Sequence, residues 1–393
     1  MAPKSAGPRM KYNRLGDTGL LVSQLSLGSW VTFDVKGGAG TVSKAVDSGT
    51  ADARKAAAEA AYAIMKRGYD GGINFFDNAE AYANGDAERI MGDAVRLGME
   101  RGAWDRQDLV LTTKIMFGGD TRPGKSLAAN RVGLSRKHII EGLQASLQRM
   151  GLDHVDVAFC HRPDDLTPVE EVVRGFNSAI DRGLCFYWAT SEWSAELLSQ
   201  AKAVADRLGL VPPCADQPQY NLFVRGRVEA EYAALYPPAA RGGMGLGLTV
   251  WSPLASGVLT GKYGGGAAPA GSRLAQDSFK RRPDFKHFQR QIEWAERLRP
   301  VAARLGCSMG QLALAWCMAN PDVSTTLTGA TDTAQVEEQL GALAVVEKLV
   351  PDVMGEIDAA LGEEVVRRAR QVPKAQQGGM RRPFLTKGAV AKL

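Results

Sequence analysis

The sequence has few cysteines and no paired cysteine motif. Its 393 residues include five cysteines, an odd number, and no two of them form a C-x-x-C pair. We therefore predict free thiols in a reducing compartment and no bound metal. The cysteines are Cys160, Cys185, Cys214, Cys307 and Cys317.

Long hydrophobic runs are also absent. No apolar stretch approaches the roughly 18 residues that a membrane-spanning helix requires. Residues 1–10 carry Pro, Lys and Arg and lack the apolar segment of a signal peptide. We therefore predict a cytoplasmic protein that is neither secreted nor inserted into a membrane, with a flexible N-terminus over residues 1–10.

Charge of one sign does not dominate the body of the chain. The formal net charge is +5, but residues 366–393 alone carry eight Lys and Arg and no acidic residue, which leaves −3 for the rest. A nearly neutral body gives little support to nucleic-acid binding. The basic C-terminal segment, which we place at residues 363–393, is typical of a solvated, disordered tail.

What the sequence does contain is a regular alternation of strand-like and helical segments. With 45% hydrophobic residues, the chain is long enough for one large barrel or for two ordinary domains. Counted from Gln24, eight predicted strands are each followed by helix, and the first strand is not followed by the G-x-G-x-x-G motif typical of an open doubly wound sheet. We therefore predict an α/β fold, a (β/α)8 TIM barrel, over residues 11–362. The predicted strands are Gln24–Trp30, Ile73–Phe76, Leu109–Lys114, Val155–Cys160, Cys185–Thr190, Ala215–Gln219, Gly247–Trp251 and Ser324–Thr328.

The helices are predicted from composition and from apolar spacing. The clearest one, Ser135 to Met150, has a capping serine, a terminating Gly151 and apolar residues at helical spacing. Pro351–Leu361 is predicted as an extra C-terminal helix against the barrel. The other predicted helices are Ala51–Arg67, Asp86–Arg101, Pro168–Arg182, Ala195–Leu208, Val228–Tyr236, Gln291–Leu305, Met309–Ala319 and Ala334–Leu343.

Two segments near the N-terminus do not fit the alternation. Two short β-prone runs on either side of residues 16–19 indicate a β-hairpin before the first barrel strand. Residues 35–50 are rich in Gly, Ser and Thr, follow the first strand, and should hang over the face where strands end. Composition favours a disordered insertion there, and a substrate lid is the alternative.

Chemically active side chains follow three successive predicted strands. Asp77 ends the second strand and Tyr82 follows five residues later, Lys114 ends the third strand, and His161 ends the fourth. Active sites of parallel α/β proteins lie at the carboxyl ends of strands. Taken singly, each residue has an ordinary structural explanation. Together they form the set that protonates a carbonyl oxygen, because a cation beside a phenol lowers the pKa of that proton donor.

These residues and the motifs around them resemble the aldo-keto reductases. The branch with potassium-channel β subunits and their plant and bacterial relatives is the most similar. The resemblance covers about residues 11 to 349. It implies that Asp77, Tyr82, Lys114 and His161 are a catalytic tetrad and that the hairpin closes the bottom of the barrel. The matching motifs are His161-Arg-Pro-Asp, Tyr187-Trp-Ala-Thr-Ser-Glu-Trp-Ser and Trp251-Ser-Pro-Leu-Ala-Ser-Gly-Val-Leu-Thr-Gly-Lys-Tyr.

The resemblance also implies a nicotinamide cofactor extended over the barrel mouth. Trp251 would stack on the nicotinamide, and Ser191 and Gln217 would hold its carboxamide. Positive and donor groups at Lys262, Arg273 and Thr331 would favour NADPH or NADP+ over the unphosphorylated form. The implied cofactor residues are Ser29, Trp30, Asp77, His161, Ser191, Gln217, Trp251, Ser252, Pro253, Leu254, Ser256, Gly257, Lys262, Arg273, Gly329, Thr331, Gln335, Glu338 and Gln339.

The sequence departs from the family pattern at a few positions. Glu192 stands where animal channel subunits have a basic residue, which removes one cofactor contact, and Gln339 replaces an Asn. Lys36 falls at the edge of the insertion, where a polar cofactor contact is expected. His161 is more typical of turnover enzymes, since animal channel subunits often carry Asn there.

Two functions therefore remain open at the level of sequence. The first is NADPH-dependent reduction of aldehydes or ketones to alcohols. The second is a redox-sensing auxiliary subunit that binds NADPH and a potassium channel α subunit. The resemblance also implies a fourfold homo-oligomeric ring. Finally, Ala391-Lys392-Leu393 resembles a peroxisomal address, relevant to a eukaryotic source.

Overall fold

Eight parallel strands form a closed barrel, and helices pack around it. This computed structural model describes residues 9–32, 51–119, 129–265, 268–269, 272–275, 280 and 285–372. The barrel closes by pairing of the last strand with the first, in the order β10-β3-β4-β5-β6-β7-β8-β9. The prediction of a TIM barrel is thereby confirmed. The strands are β1 Tyr12–Arg14, β2 Leu21–Ser23, β3 Leu25–Gly28, β4 Phe75–Asp77, β5 Val110–Ile115, β6 Val155–Cys160, β7 Cys185–Thr190, β8 Ala215–Asp216, β9 Gly247–Val250 and β10 Thr325–Thr328.

The helices follow the strands in the predicted alternation. The helix predicted from Ser135 to Met150 is present: the Ser135 side chain accepts the N–H of His138, and Gly151 ends the helix in the left-handed region. The helices are α1 Ser29–Thr32, α2 Ala51–Asp70, α3 Asp86–Glu100, α4 Arg136–Met150, α5 Val169–Asp181, α6 Ala195–Leu208, α7 Phe285–Glu296, α8 Arg299–Leu305, α9 Met309–Met318, α10 Thr333–Leu340, α11 Leu343–Val346, α12 Pro351–Leu361 and α13 Glu363–Ala369. Shorter 3-10 or π turns lie at Tyr82–Gly85, Arg106–Asp108, Ala129–Arg131, Arg227–Glu231, Ala239–Arg241, Ala255–Thr260 and Arg273–Ala275.

The N-terminal hairpin closes the end of the barrel where the strands begin, opposite their carboxyl ends. β1 and β2 pair in antiparallel register. Leu15 and Val22 are fully buried in an apolar cluster with residues at the starts of the barrel strands, such as Phe75 and Val110. Gly16, at φ +58°, is required in the hairpin turn, because a Cβ there would lie 2.3 Å from the carbonyl oxygen of Cys214.

Proline explains two differences from the predicted elements. The helix predicted from Gln291 to Leu305 is split, because Pro300 has no N–H to donate and its ring would clash with the carbonyl of Glu296, where α7 ends. The strand predicted to reach Gln219 stops at Asp216, two residues before Pro218, and resumes as one bridge between Gln219 and Trp251.

Other boundaries differ without changing the topology. The helix predicted over Val228–Tyr236 is a single π turn, Arg227–Glu231, in which the N–H of Tyr232 reaches the carbonyl of Arg227. The first barrel strand ends at Gly28, and residues 29–32 form α1.

The tail predicted for residues 363–393 begins too early. Glu363–Ala369 forms α13, with Val365 and Ala369 buried, and the Ala369 carbonyl accepts the N–H of Arg225 at 2.6 Å. These contacts attach α13 to the barrel. The predicted insertion at 35–50, residues 1–8 of the N-terminus, residues 373–393 and Ala391-Lys392-Leu393 lie outside the described residues.

Candidate active site

Three of the four predicted catalytic side chains lie inside the barrel because of the two-residue period of a strand. Along β6, Phe159 faces the barrel interior and His161 is the next position in that row. By the same two-residue period, Asp77 continues the inward-facing row of β4, and Lys114 continues that of β5. All three side chains are buried, and that of Lys114 is fully inaccessible.

Tyr82 joins this group from the 3-10 turn that follows β4. The Lys114 ammonium forms an ion pair with Asp77 Oδ2 and donates to Tyr82 Oη at 3.2 Å. A further bond from Lys114 goes to the Asn78 carbonyl at 2.8 Å. Since the phenol oxygen accepts from the ammonium, the phenol's own proton is left to be donated elsewhere.

Asp77 is held from a second direction. Its Oδ1 accepts the Thr112 hydroxyl at 2.8 Å and the Gln217 amide at 3.3 Å. Each carboxylate oxygen therefore has a donor, which meets the requirement for a buried charge. Gln217 comes from the far side of the barrel, so it links Asp77 to the residues at the end of β8.

Burial and neighbouring charge act in opposite directions on the pKa values of Lys114 and Tyr82. Burial acts to lower the pKa of Lys114, but Asp77 and Tyr82 outweigh it and hold that pKa above its ordinary value. Burial raises the pKa of Tyr82, although the charge of Lys114 acts to lower it. Lys114 therefore lowers the pKa of Tyr82 as expected, but burial outweighs that effect, and the phenol is protonated at neutral pH.

His161 is a neutral imidazole beside the phenol. Burial lowers its pKa well below the ordinary value, and Lys114 and Arg162 add to that effect. Its ring lies edge-on to Tyr82, with centroids 5.6 Å apart, and to Phe117 at 4.8 Å. Its Nδ1 is buried and has no hydrogen-bond partner in the protein. A neutral ring in this position can donate a hydrogen bond without adding charge.

Backbone strain marks the same end of the barrel. Six non-glycine residues in the described part of the chain have positive φ, and all of them follow barrel strands. Such conformations persist where the surrounding structure determines them, and they cluster at functional sites. Sequence reasoning missed this feature, because only Asn84 among the six is a residue type that commonly adopts positive φ. They are Ala83, Asn84, Glu192, Ser252, Ala255 and Ser256.

The residues predicted around a nicotinamide lie close together. Ser191 Oγ donates to the Gln217 carbonyl at 2.9 Å, and Gln217 reaches Asp77 as described. Trp251 is half-buried at the end of β9. The exposed ring of Trp30 lies 6.5 Å from that of Tyr82, and the neighbouring Ser29 Oγ is buried without a partner.

The loop after β9 contains the residues predicted along a pyrophosphate. Ser256 and Gly257 are consecutive left-handed residues, and Leu254 precedes this stretch. A Cβ on Gly257 would lie 3.1 Å from the Lys262 side chain, so the glycine allows close approach there. Pro253 is buried, and the carbonyl of the preceding Ser252 accepts from Asn221.

The residues predicted at the adenosine end form local networks around α10. Gln335 Nε2 donates to Thr331 Oγ1 at 2.8 Å, and Gln339 Nε2 donates to the Gly329 carbonyl at 2.8 Å. Gln339 Oε1 is buried without a partner. Glu338 accepts from Ser308 and from Gln311 on α9. Arg273 begins a short turn, and its side chain lies outside the described residues.

These observations fit a dinucleotide. Partnerless polar atoms of Ser29, His161 and Gln339 come from three separate segments that follow barrel strands, and a half-buried indole lies among polar groups. A bound group with hydrogen-bonding capacity would satisfy such atoms. Within the described residues, no cluster of His, Cys, Asp and Glu has the composition of a metal site.

Sequence reasoning missed a buried carboxylate that shapes the loop after β5. Glu80 Oε1 accepts the N–H groups of Met116 and Gly118 at 2.7 and 2.9 Å and lies 3.2 Å from His138 Nε2. Although burial acts to raise its pKa, these partners hold the pKa of Glu80 below the ordinary value. The sequence offered one signal for a role of Glu80 at the site, because this carboxylate lies only three residues after Asp77.

The fold and the residues at the mouth define an aldo-keto reductase. Residues 41–361 match the model of the Aldo/keto reductase family, and the chain belongs to that family. Its members are oxidoreductases that generally bind NADP(H). The resemblance drawn from the sequence motifs is thereby confirmed.

Among curated proteins, the chain is similar to several that are named as probable or putative potassium-channel β subunits. It is 47% identical over 357 residues to a "Probable voltage-gated potassium channel subunit beta" of Oryza sativa subsp. japonica, covering 90% of this chain and 97% of that protein. The corresponding Arabidopsis thaliana protein is 46% identical, with the same coverage. A "Putative voltage-gated potassium channel subunit beta" of Schizosaccharomyces pombe is 42% identical, covering 89% and 93%. No helix in the described part of this chain is long and apolar enough to cross a membrane.

Proposed function

We propose that this protein reduces aldehydes or ketones to alcohols with NADPH. The observation that carries the proposal is the contact of the Lys114 ammonium with both Asp77 and the Tyr82 phenol, beside the neutral ring of His161. Reduction of a carbonyl group requires a hydride at its carbon and a proton at its oxygen. The four side chains together supply the proton.

Each residue has a distinct part in the proton transfer. Tyr82 donates its proton to the carbonyl oxygen as negative charge grows there. The phenolate that remains lies 3.2 Å from the Lys114 ammonium, which stabilises it. Asp77 keeps Lys114 charged and in place. His161 donates a hydrogen bond to the same oxygen and orients the carbonyl.

NADPH, when bound, supplies the hydride. Ser191, Gln217 and Trp251 would hold its nicotinamide end, and the loop with Ser256 and Gly257 would follow its pyrophosphate. The adenosine end would lie among the residues around α10. Lys262, Arg273 and Thr331 favour a 2′-phosphate, which only cationic and donor groups compensate, and hence NADPH over NADH.

The test is a panel of aromatic and aliphatic aldehydes with the purified protein and each cofactor. We expect oxidation of NADPH to exceed that of NADH, and we expect Tyr82→Phe to lose at least about a hundredfold in kcat, since a general acid contributes that much. Tyr12→Phe makes the same exchange at an exposed tyrosine of the hairpin, at the closed end of the barrel, and serves as the matched control. Full turnover by Tyr82→Phe would reject the proposed proton donor.

A second candidate function comes from the names of the relatives. Because three similar proteins are named as potassium-channel β subunits, this chain is also a candidate auxiliary subunit that binds NADPH, senses redox state and contacts a channel α subunit. Tight NADPH retention without aldehyde turnover, together with co-purification of a channel, would favour this function over the first.

Assembly and location belong to the same proposal. By analogy with its relatives, we propose that the protein forms a fourfold homo-oligomer in the cytoplasm. For a eukaryotic source, the alternative location is the peroxisome, with Ala391-Lys392-Leu393 as the targeting signal. Light scattering after size exclusion measures the first, and a monomer would contradict it. A fluorescent fusion ending in residues 388–393 measures the second, and a diffuse cytosolic signal would contradict the peroxisomal location.

A further inference from the structure

A buried carboxylate, Glu192, holds the edge of the Trp251 indole. Trp251 Nε1 donates to Glu192 Oε1 at 2.9 Å, and the same oxygen accepts the backbone N–H of Gln219 at 2.7 Å. Gln219 pairs with Trp251 through a parallel bridge. Glu192 Oε1 therefore joins the segment after β7 to two neighbours: the Trp251 side chain, which follows β9, and Gln219, which pairs with Trp251.

Arg227 fixes Glu192 from the other side. Its Nε lies 3.7 Å from Glu192 Oε2, and both side chains are almost completely buried. Arg227 is itself anchored, because it donates to the Trp193 carbonyl at 2.8 Å and lies 3.5 Å from Glu231. A carboxylate with a cation on one oxygen and two N–H donors on the other has little freedom to rotate.

The backbone of Glu192 is also constrained. Its φ of +60° lies in the left-handed region, which non-glycine residues rarely adopt. Such a conformation is kept where tertiary contacts determine it. The contacts of the Glu192 side chain are therefore part of what sets the geometry between Ser191 and Trp193.

We propose that Glu192 is a positioning residue, which fixes the plane of the Trp251 indole before the cofactor binds. The inference rests on the proposed function, in which the nicotinamide lies against Trp251. Tryptophan has a single side-chain N–H, so one fixed acceptor determines the rotation of the ring. A ring held in its binding orientation loses less conformational freedom when the cofactor arrives, and affinity rises accordingly.

The first experiment reads the Trp251 indole directly, without cofactor. The full chain is labelled with ¹⁵N-tryptophan, and the Trp251 Nε1–H signal is assigned by its loss in Trp251→Phe. Glu192→Leu removes the acceptor, and we expect the Trp251 signal to move upfield. Glu192→Gln keeps an acceptor oxygen, and Glu170→Leu makes the same exchange as Glu192→Leu at an exposed carboxylate on α5 that pairs with Arg174. Both should leave the signal near its original position.

The second experiment measures NADPH affinity by fluorescence titration. We expect Glu192→Leu to weaken binding by about tenfold, the size of coupling found between contacting residues. Glu192→Gln and Glu170→Leu should stay within about threefold of wild type. In the Trp251→Phe background, Glu192→Leu should cause no further loss, because its effect passes through the indole.

The outcomes separate this inference from the proposed function. A Trp251 signal unchanged by Glu192→Leu overturns the inference, even if the protein reduces aldehydes. A loss of affinity that persists in the Trp251→Phe background also overturns it. If wild type binds no NADPH, the proposed function fails, and the indole signal still decides whether Glu192 positions the ring.

Discussion

At the scale of the residue, Lys114 is the group on which the site depends. It is fully buried, yet it keeps its charge because Asp77 and Tyr82 surround it. Removing one member of a buried ion pair leaves an uncompensated charge, which is far more costly than losing a pair in solvent.

We expect Lys114→Met to lower the free energy of unfolding by about 3–5 kcal/mol, because Asp77 is left unpaired. The double variant Asp77→Asn with Lys114→Met should recover part of that stability but none of the aldehyde turnover. Lys66→Met, which breaks an exposed pair with Asp70, should cost under about 1 kcal/mol. Chemical denaturation and NADPH oxidation measure the two effects. Turnover by Lys114→Met near the wild-type rate would remove the proposed role of Lys114.

The high pKa of Tyr82 predicts the pH dependence of the reaction. Because burial raises this pKa above its ordinary value near 10, the phenol holds its proton throughout the neutral range. We expect kcat for aldehyde reduction to be nearly flat from about pH 6 to 9, and alcohol oxidation, which needs the phenolate, to rise with pH. Steady-state rates in both directions test this. A reduction rate that falls steeply around pH 7 would contradict it.

The low pKa of His161 predicts a loss of stability in acid. Its folded-state pKa lies well below the unfolded value of about 6.5, so below that pH the unfolded chain binds more protons. The stabilising contribution is present above pH 6.5 and is lost as pH falls toward the folded pKa. Between pH 7.5 and 5.5, wild type should lose about 1 kcal/mol more than His161→Asn. The same exchange at the exposed His287 should keep the wild-type pH dependence, as urea titrations at both pH values would show.

At the scale of the element, strand periodicity explains why the tetrad could be predicted. Asp77, Lys114 and His161 each continue an inward-facing row, and an apolar strand that ends in a polar residue shows that row in the sequence. The loops could not be predicted in this way. The bonds from Glu80 to the loop after β5 join residues more than thirty positions apart, and no local pattern encodes them.

The left-handed residues after β4 give a testable case. Ala83 has φ +48°, whereas Ala81, in the same turn, has an ordinary φ of −84°. Glycine relieves the strain of a left-handed alanine, about 1 kcal/mol, and elsewhere costs backbone entropy. We therefore expect Ala83→Gly to be more stable than Ala81→Gly by about 1 kcal/mol or more in urea denaturation. Equal stability of the two variants would show that the strain at Ala83 is not energetically significant.

At the scale of the whole molecule, α13 shows how far the folded unit extends. Composition alone placed the tail boundary at residue 363, since the eight basic residues begin nearby. The buried Val365 and Ala369, and the bond from Arg225 to Ala369, are long-range contacts that composition does not report.

We expect a chain ending at residue 362 to be less stable than one ending at residue 372, by about 2–4 kcal/mol, because two buried apolar side chains and a buried hydrogen bond are lost. Thermal midpoints of the two truncated chains measure the difference. The variant Ala369→Asp in the longer chain keeps its length but places a charge in the buried position, and it should approach the stability of the shorter chain. Equal midpoints of the two truncations would mean that α13 adds no stability.

The hairpin seals one end of the barrel with Leu15 and Val22, and this has a kinetic consequence. Both reactants would have to enter and leave by the opposite opening. Two reactants that share one opening cannot easily pass each other, so turnover in the proposed reaction should follow a compulsory order of entry and release, which product-inhibition kinetics in both directions would test.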